Sequence, residues 1–283
     1  MVLRLLVLDA YAPEGREALR SAGGSEAGPL YVSMLHGVAP DAHIDVAHPA
    51  DPGPELPTQA ELRDYDGAAW TGSSLTIHRD DDPRVSAQLD FARRLLDAGV
   101  SCFGSCWAAQ LAAVVSGGRC APSPRGREFG FARRIALSPQ GRAHALFAGK
   151  APLFDAFTSH ADEVVSLGSG AHCLASNAWS RVQAVSFERA AGRFWALQYH
   201  PEYDLHEVAS LCRLRRKELV AQGTFANARA ADYFIRDLEA LHADPGREDL
   251  ARSLGVSADL LDPRQRSCEV RNWLATLKRE PAA

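Results

Sequence analysis

A cysteine at a predicted corner between a strand and a helix is the first residue of this sequence that could do chemistry. Residues 100–103 form a short apolar run typical of a buried strand, and residues 108–115 have the alanine and leucine content of a helix. Cys106 lies between them, where the small Gly104 and Ser105 allow a sharp turn. The amides and dipole of the helix would favour the thiolate of Cys106. The alternative is an ordinary buried cysteine.

A histidine and a glutamate follow a second apolar run, residues 194–199. Residues two apart in an extended segment project to the same side, so His200 and Glu202 can share a face. Pro201 between them favours a strand end, where the catalytic groups of a parallel sheet gather. We predict a triad in which Glu202 orients His200, which takes the proton of Cys106 and later gives it to a leaving amine. A lone histidine would instead be a partly exposed turn residue.

Five stretches together resemble the class I glutamine amidotransferases, in particular the free-standing kind similar to the amidotransferase part of GMP synthase and related to γ-glutamyl hydrolases. They are residues 66–74, 103–110, 123–130, 158–164 and 194–202. The resemblance spans about Val2 to Tyr203. Two positions depart from the pattern: Ala108 stands where the family usually has glycine, and the bulky Trp107 directly follows the cysteine. We expect the side chain of Trp107 to shape the mouth of the pocket.

The resemblance implies hydrolysis of a γ-carboxamide through a thioester at Cys106, with ammonia leaving before glutamate. It implies that the oxyanion is held by backbone amides of Gly72, Ser73 and Trp107. It implies that the substrate is held by Gln110, Ser159 and His160. Gln110 also follows Cys106 by four residues, which places both on one helix face. By their residue types alone, Gln110 fits an exposed helical glutamine, and His160 fits a polar turn.

The order of predicted elements indicates an α/β fold with a mainly parallel, twisted sheet flanked by helices, a three-layer, flavodoxin-like arrangement. Strands are predicted within the first nine residues and at residues 68–70, 100–103, 153–157, 173–176, 182–187 and 194–198. Apolar residues at helical spacing predict a helix over residues 84–98. In such a sheet the site lies at the carboxyl ends of the strands.

We divide the chain into an amidotransferase domain, residues 1–204, and a C-terminal helical extension, residues 205–283. The extension is rich in charge and predicts three or four helices, with boundaries at Asp244–Pro245 and Asp262–Pro263. Its apolar residues must be buried against the core or against another chain, as in a homodimer. These are Leu250, Leu254, Leu260, Leu261, Val270, Trp273 and Leu274.

Composition favours a soluble enzyme with one main domain: the chain has 283 residues, of which 46% are apolar, and a net charge of −4. No apolar run approaches the length of about 20 residues that a membrane span needs, and no signal peptide is recognised, which favours the cytoplasm. The six cysteines lack the spacing of a zinc site or a disulfide framework, so no metal or cofactor is expected. The basic run at residues 213–217 is interpreted as a solvated helix face rather than a nucleic-acid site.

Three functions fit these features. The favoured one is a glutaminase or free-standing amidotransferase that passes ammonia to a separate synthetase, because no phosphate-binding glycine loop with lysine is present. The second is a γ-glutamyl hydrolase or transferase acting on γ-glutamyl amides or peptides, with Trp107 shaping a wider leaving-group site. The third is a non-catalytic scaffold, against which the intact Cys106, His200 and Glu202 argue.

Overall fold

The computed structural model describes residues 2–79 and 81–277. The strands are β1 (Arg4–Leu8), β2 (His43–Ala47), β3 (Gly67–Trp70), β4 (Ser101–Ser105), β5 (Arg119–Pro122), β6 (Glu128–Leu137), β7 (Leu153–His160), β8 (Asp162–Ser166), β9 (Ala171–Ser176), β10 (Ala184–Arg189) and β11 (Gly192–Leu197). The helices are α1 (Pro13–Ser21), α2 (Ala27–Val38), α3 (Pro83–Asp97), α4 (Trp107–Val115), α5 (Pro139–Ala143), α6 (Leu205–Ala221), α7 (Ala228–Ala243), α8 (Glu248–Leu254), α9 (Ala258–Leu261), α10 (Pro263–Arg266) and α11 (Cys268–Leu277). Short 3-10 turns occupy Glu61–Asp64 and Ala145–Phe147. Over the described ranges, no helix has both the length and the apolarity needed to cross a membrane.

The central sheet has the strand order β2-β1-β3-β4-β11-β10-β9-β6-β7. From β2 to β11 the neighbouring strands pair in parallel, whereas from β11 to β7 they pair antiparallel. Strands β5 and β8 form a separate two-stranded sheet. The predicted α/β fold is confirmed, and the strands that lead to Cys106 and His200, β4 and β11, are parallel neighbours at the centre of the sheet.

Helices cover both faces of the sheet, because alternate residues of the buried strands face opposite cores. On one face, Phe91 of α3 and Trp107 of α4 pack against side chains such as Trp70. On the other face, Tyr31 of α2 and Trp273 of α11 pack against side chains such as Phe103. The sheet is therefore buried on both sides, as the apolar sequence of β1, β3 and β4 requires.

The longest strand, β6, was not among the predicted strands, and the reason lies in its bulge. Its residues alternate between buried and partly exposed, but Arg133 and Arg134 interrupt the apolar alternation. They occupy a register shift between Ala132 and Ile135, and Arg134 has a positive φ of 51°. A β-bulge breaks the period of two that identifies a strand in sequence.

The described part of the C-terminal extension contains six helices, α6 to α11, rather than three or four. The sequence prediction counted too few because α8, α9 and α10 are short. Its predicted boundaries are close, since α7 ends at Ala243 and Asp262 caps α10. The division of the chain at residue 204 stays a prediction.

The apolar residues of the extension pack against the same chain. Trp273 stacks on Phe103 with ring centroids 5.4 Å apart, and its Nε1 donates to Ser101 Oγ at 3.0 Å. A Cβ on Gly67 would lie 2.7 Å from the Trp273 ring, so glycine is required in β3 where α11 approaches. Leu260, Val270 and Leu274 are also buried, and Leu250, Leu254 and Leu261 pack partly buried around the α6–α7 core.

Candidate active site

Cys106 occupies the corner between β4 and α4 in a strained conformation. Its φ of 52° and ψ of −93° lie outside the regions that residues with a side chain prefer. The Cys106 amide donates to Leu197 O at 2.6 Å, which fixes the corner to the end of β11. The residue is 6% exposed. This geometry is that of a nucleophile elbow, which presents a side chain at the start of a helix.

Close packing at the corner depends on Gly104. A Cβ at this position would lie 2.4 Å from Trp70 O and 2.5 Å from the Cβ of Ala108. The glycine therefore lets β4 approach β3 while the first turn of α4 folds back over it. It also explains why the alanine at 108 fits, since its methyl group occupies the space that a side chain at 104 would need.

His200 is held beside the cysteine by the end of β11 and by Glu202. The His200 amide donates to Phe157 O at 2.8 Å, and Nδ1 lies 2.7 Å from Glu202 Oε1. His200 is 2% exposed. Burial alone would lower the pKa of His200, but the Glu202 carboxylate and then the Cys106 side chain outweigh it and raise this pKa to about 9.

The imidazole keeps one nitrogen available. Nε2 of His200 is buried and has no hydrogen-bond partner among the described residues, although Cys106 is close enough to affect the pKa of the ring. Gly72 packs over both groups: a Cβ there would lie 3.0 Å from Cε1 of His200 and 3.7 Å from the Cβ of Cys106. The structure thus brings Cys106, His200, Glu202 and Gly72 together at one place.

A buried chain of hydroxyl groups extends behind Glu202, and sequence reasoning did not find it. Tyr31 OH donates to Ser105 Oγ at 2.5 Å, and Ser105 Oγ donates to Glu202 Oε1 at 2.8 Å. Burial and the charge of Glu202 hold the pKa of Tyr31 well above its usual value, so Tyr31 stays a proton donor. On the other side, the ring of Tyr203 stacks on His200 with centroids 3.9 Å apart.

Backbone amides are available where an oxyanion would form. Within the described ranges, the amides of Gly72, Ser73 and Trp107 donate no hydrogen bond. The Ser73 side chain fixes its loop, because Oγ donates to Ala10 O at 2.8 Å and accepts from Leu75 N at 3.1 Å. Trp107 is the first residue of α4, where helical amides lack an intrahelical acceptor. Such amides can stabilise a developing negative charge.

A cavity of about 240 Å³ opens onto Cys106. Its lining includes the three residues predicted to hold the substrate, which are Gln110, Ser159 and His160. The Ser159 hydroxyl is buried and without a partner among the described residues, so it is free to bind a ligand. No group of three or more His, Cys, Asp or Glu side chains in the described ranges is placed to hold a metal ion.

The His160 ring is fully engaged within the protein. Nδ1 lies 2.8 Å from Asp162 O, and Nε2 lies 2.8 Å from Glu128 Oε2. Glu128 is buried and also accepts from Asn177 Nδ2 at 2.6 Å and from Gln183 Nε2 at 2.8 Å. The pocket wall at His160 is therefore held in place by a buried carboxylate, next to Ser159 in the cavity lining.

The indole of Trp107 does not shape the pocket mouth as we expected. Trp107 borders the cavity, but it is 1% exposed and its Nε1 donates to the buried Gln88 Oε1 at 2.8 Å. The ring packs into the core under α3 because Gln88 supplies the acceptor that a buried indole needs. A wider leaving-group site therefore gains no support from this side chain.

The expectation of a wholly solvated face at residues 213–217 is wrong for Arg215. Arg215 is only partly exposed and lines the cavity with Cys106. A signal for this was present in the sequence: Val208, Cys212 and Leu219, at helical spacing from Arg215, form the buried face of α6. The arginine therefore falls on the inward stripe of the helix.

Comparison with known proteins shows which family the chain belongs to. A family model described as glutamine amidotransferase class-I matches residues 79–211. The γ-glutamyl-L-1-hydroxyisopropylamide hydrolase of a Pseudomonas species is 30% identical over 277 residues, which is 96% of this chain and 92% of that protein. The chain belongs to the class I glutamine amidotransferase family. A match over 96% of the chain must include most of the helical extension.

Other members of the family match over part of the chain or by fold. The glutamine-hydrolysing GMP synthase of Thermomicrobium roseum is 32% identical over 136 residues, 48% of this chain but 23% of that protein. Crystal structures of glutamine amidotransferases from Thermotoga maritima and Methylobacillus flagellatus match 99% of this chain. Their TM-scores are 0.67 and 0.65, at 14% and 22% identity, covering 100% and 97% of those chains. These two likenesses show the fold.

Proposed function

We propose that the protein breaks the γ-glutamyl C–N bond of glutamine or of a substituted γ-glutamyl amide, with Cys106 as the nucleophile. The observation that carries this proposal is the set of contacts at the elbow. Nδ1 of His200 is fixed by Glu202, while the buried Nε2 is left without a partner beside Cys106. A histidine oriented through one nitrogen and open at the other can serve as general base and then general acid.

The reaction proceeds in two halves. His200 takes the proton of the Cys106 thiol and holds it as an imidazolium, as its raised pKa of about 9 favours. The Cys106 sulfur then attacks the γ-carbonyl carbon, and the amides of Gly72, Ser73 and Trp107 stabilise the oxyanion. The imidazolium then protonates the amide nitrogen, the C–N bond breaks, and ammonia or an amine leaves from the thioester. Water, deprotonated by His200, attacks the thioester and releases the γ-carboxylate and the thiol. Glu202 stabilises the imidazolium in both halves.

Glutamine is the first substrate to consider, because relatives of the chain are named as glutamine-hydrolysing GMP synthases. In that case the released ammonia passes to a separate synthetase in the cytoplasm, where six free thiols stay reduced. A substituted γ-glutamyl amide is the second. It is favoured by the match to the Pseudomonas hydrolase, which covers 96% of this chain and therefore most of its helical extension. We keep a homodimer through the extension as a lesser proposal.

A direct assay distinguishes the two substrates. The purified protein is incubated with glutamine and, separately, with γ-glutamyl isopropylamide and γ-glutamyl ethylamide, and glutamate release is measured. We expect release from at least one of them, and its loss in Cys106→Ser. Turnover of the substituted amides without glutamine would assign a γ-glutamyl amide hydrolase, whereas turnover of glutamine alone would assign a glutaminase.

A glutamine-like chloroketone tests the site without turnover. It alkylates a competent Cys106, and mass spectrometry locates the adduct. An unmodified Cys106 together with no glutamate release from any substrate would reject the proposed function.

A further inference from the structure

Two arginines line the cavity at Cys106, and they differ in what they contact. Arg127 comes from the loop before β6, and its Nε donates to Glu218 at 2.8 Å. Arg215 comes from α6 and forms no ion pair with any carboxylate of the described residues. Its Nη1 is buried and without a hydrogen-bond partner there. One charged group that lines the pocket thus lacks a counter-charge.

The neighbours of Arg215 do not neutralise it. The charge of Arg215 acts to lower the pKa of Tyr11 and of Tyr203. Burial of the two phenols outweighs this effect and raises the pKa of both. They are therefore neutral at physiological pH. A guanidinium that is partly removed from water and forms no ion pair carries a desolvation cost that an anion in the cavity would offset.

The cavity limits what that anion can be. At about 240 Å³ it holds a molecule of amino-acid size, and one part of that molecule must reach Cys106. In a γ-glutamyl group, three carbon atoms lie between the α-carboxylate and the carbonyl carbon that reacts. A planar guanidinium binds a carboxylate through paired hydrogen bonds better than an ammonium does.

We propose that Arg215 binds the α-carboxylate of the γ-glutamyl substrate and thereby sets the specificity of the site. This inference rests on the proposed function. Arg127 does not fill the same role, because Glu218 already occupies its Nε. Arg215 lies on α6, so the helix after the catalytic histidine, and not only the parallel sheet, contributes to substrate selection.

The test compares substrates with and without the α-carboxylate. Wild type, Arg215→Ala and Arg215→Lys are assayed with the γ-glutamyl amide that wild type hydrolyses and with the corresponding 4-aminobutanamide, which lacks that carboxylate. We expect Arg215→Ala to raise KM for the γ-glutamyl amide by roughly 10- to 100-fold, the effect of losing a charge-assisted hydrogen bond. Its kcat should stay within about threefold, and kcat/KM for the 4-aminobutanamide should not change. Arg215→Lys should recover part of the loss.

Arg213→Ala is the matched control. Arg213 lies two residues earlier on the same helix and pairs with Glu239 outside the cavity, so its removal should leave both substrates unaffected. Equal losses on both substrates in Arg215→Ala would mean that the arginine only supports Tyr203 and the fold, and would overturn the proposal. An unchanged KM for the γ-glutamyl amide would overturn it as well.

Ligand binding separates this inference from the proposed function. Calorimetry of Cys106→Ala with glutamate and with 4-aminobutanoate requires no turnover. We expect glutamate to bind at least tenfold more tightly, and Arg215→Ala to remove that difference. Equal affinity for the two ligands, or no binding of either, would overturn the role of Arg215 even if wild type hydrolyses γ-glutamyl amides. If wild type hydrolyses none of them while the preference for glutamate holds, the proposed function fails and the anion site stands.

Discussion

Two buried histidine–glutamate pairs have different surroundings: one lies beside Cys106, and the histidine of the other lines the cavity that opens onto Cys106. His200 and Glu202 are 2.7 Å apart, and His160 and Glu128 are 2.8 Å apart. Both ring nitrogens of His160 face oxygen atoms of the protein, whereas Nε2 of His200 faces the cysteine without a hydrogen-bond partner in the described ranges. The distance between imidazole and carboxylate therefore does not identify a catalytic histidine. We infer the catalytic role of His200 from its unsatisfied second nitrogen.

The carboxylates differ in the same way. Glu128 accepts hydrogen bonds from three side chains through both of its oxygens. Oε1 of Glu202 accepts hydrogen bonds from His200 and Ser105, and its Oε2 has no hydrogen-bond partner in the described ranges. The fully hydrogen-bonded Glu128 fixes the pocket wall. We propose that Glu202, which is bonded mainly toward the imidazole, orients that ring and stabilises its positive charge. Substitutions of matched residues test this difference.

The largest effect is expected from replacing each of the two histidines with asparagine. His200→Asn should lower kcat by about 10⁴-fold or more, because no base remains beside Cys106, with little change in stability. His160→Asn should lower the free energy of unfolding by about 2 kcal/mol, because it leaves buried hydrogen-bonding groups unpaired. Its kcat should fall less than about tenfold. Steady-state kinetics and urea denaturation measure the two, and equal losses of kcat would contradict the distinction.

Glu202→Gln should lower kcat on the order of 10²-fold, since the imidazole remains but loses its orienting charge. The pH profile sharpens the test. The pKa of His200 is raised to about 9, so the imidazolium that protonates the leaving amine persists up to that pH and activity falls above it. Without the Glu202 charge this falling limb should move to lower pH. A limb that stays at the wild-type position would show that another group titrates.

Glu128→Gln is the counterpart of that change. Its amide group would place N–H donors against the donors of Asn177, Gln183 or His160, at a cost of about 2 to 3 kcal/mol in the free energy of unfolding. The limb of the pH profile above pH 9 should stay in place. Chemical denaturation and the pH dependence of kcat check these outcomes, and a shifted limb would argue that Glu128 also acts on the catalytic histidine.

The smallest effect is expected from the hydroxyl chain behind Glu202. Ser105→Ala should lower kcat by about fivefold, the value of one hydrogen bond to the carboxylate. Tyr31→Phe should have a similar effect alone but little further effect in the Ser105→Ala background, because both act along one chain. A double-mutant cycle on kcat measures the coupling. Independent, additive effects would mean that Tyr31 does not act through Ser105.

Local patterns in the sequence located much of the fold and the candidate site. The apolar runs before Cys106 and before His200 appear as β4 and β11, and the helical spacing at 84–98 appears as α3. Strand β6 was not predicted because the bulge at Arg134 breaks its alternation of buried and partly exposed residues. The helices in the described part of the extension were undercounted because a helix of four residues leaves no periodic signal.

The sequence by itself determined which residue types could react and which segments carry them, since a strand, a glycine and a cysteine at a helix start are neighbours along the chain. Only the tertiary structure decided which groups meet across long separations. Ser105 and Glu202 are 97 positions apart and Tyr31 and Ser105 are 74 apart, so no local pattern links them. Arg215 faces the cavity because α6 packs with that stripe inward. Which side of a helix packs inward depends on the whole core, and a short stretch of sequence does not determine it.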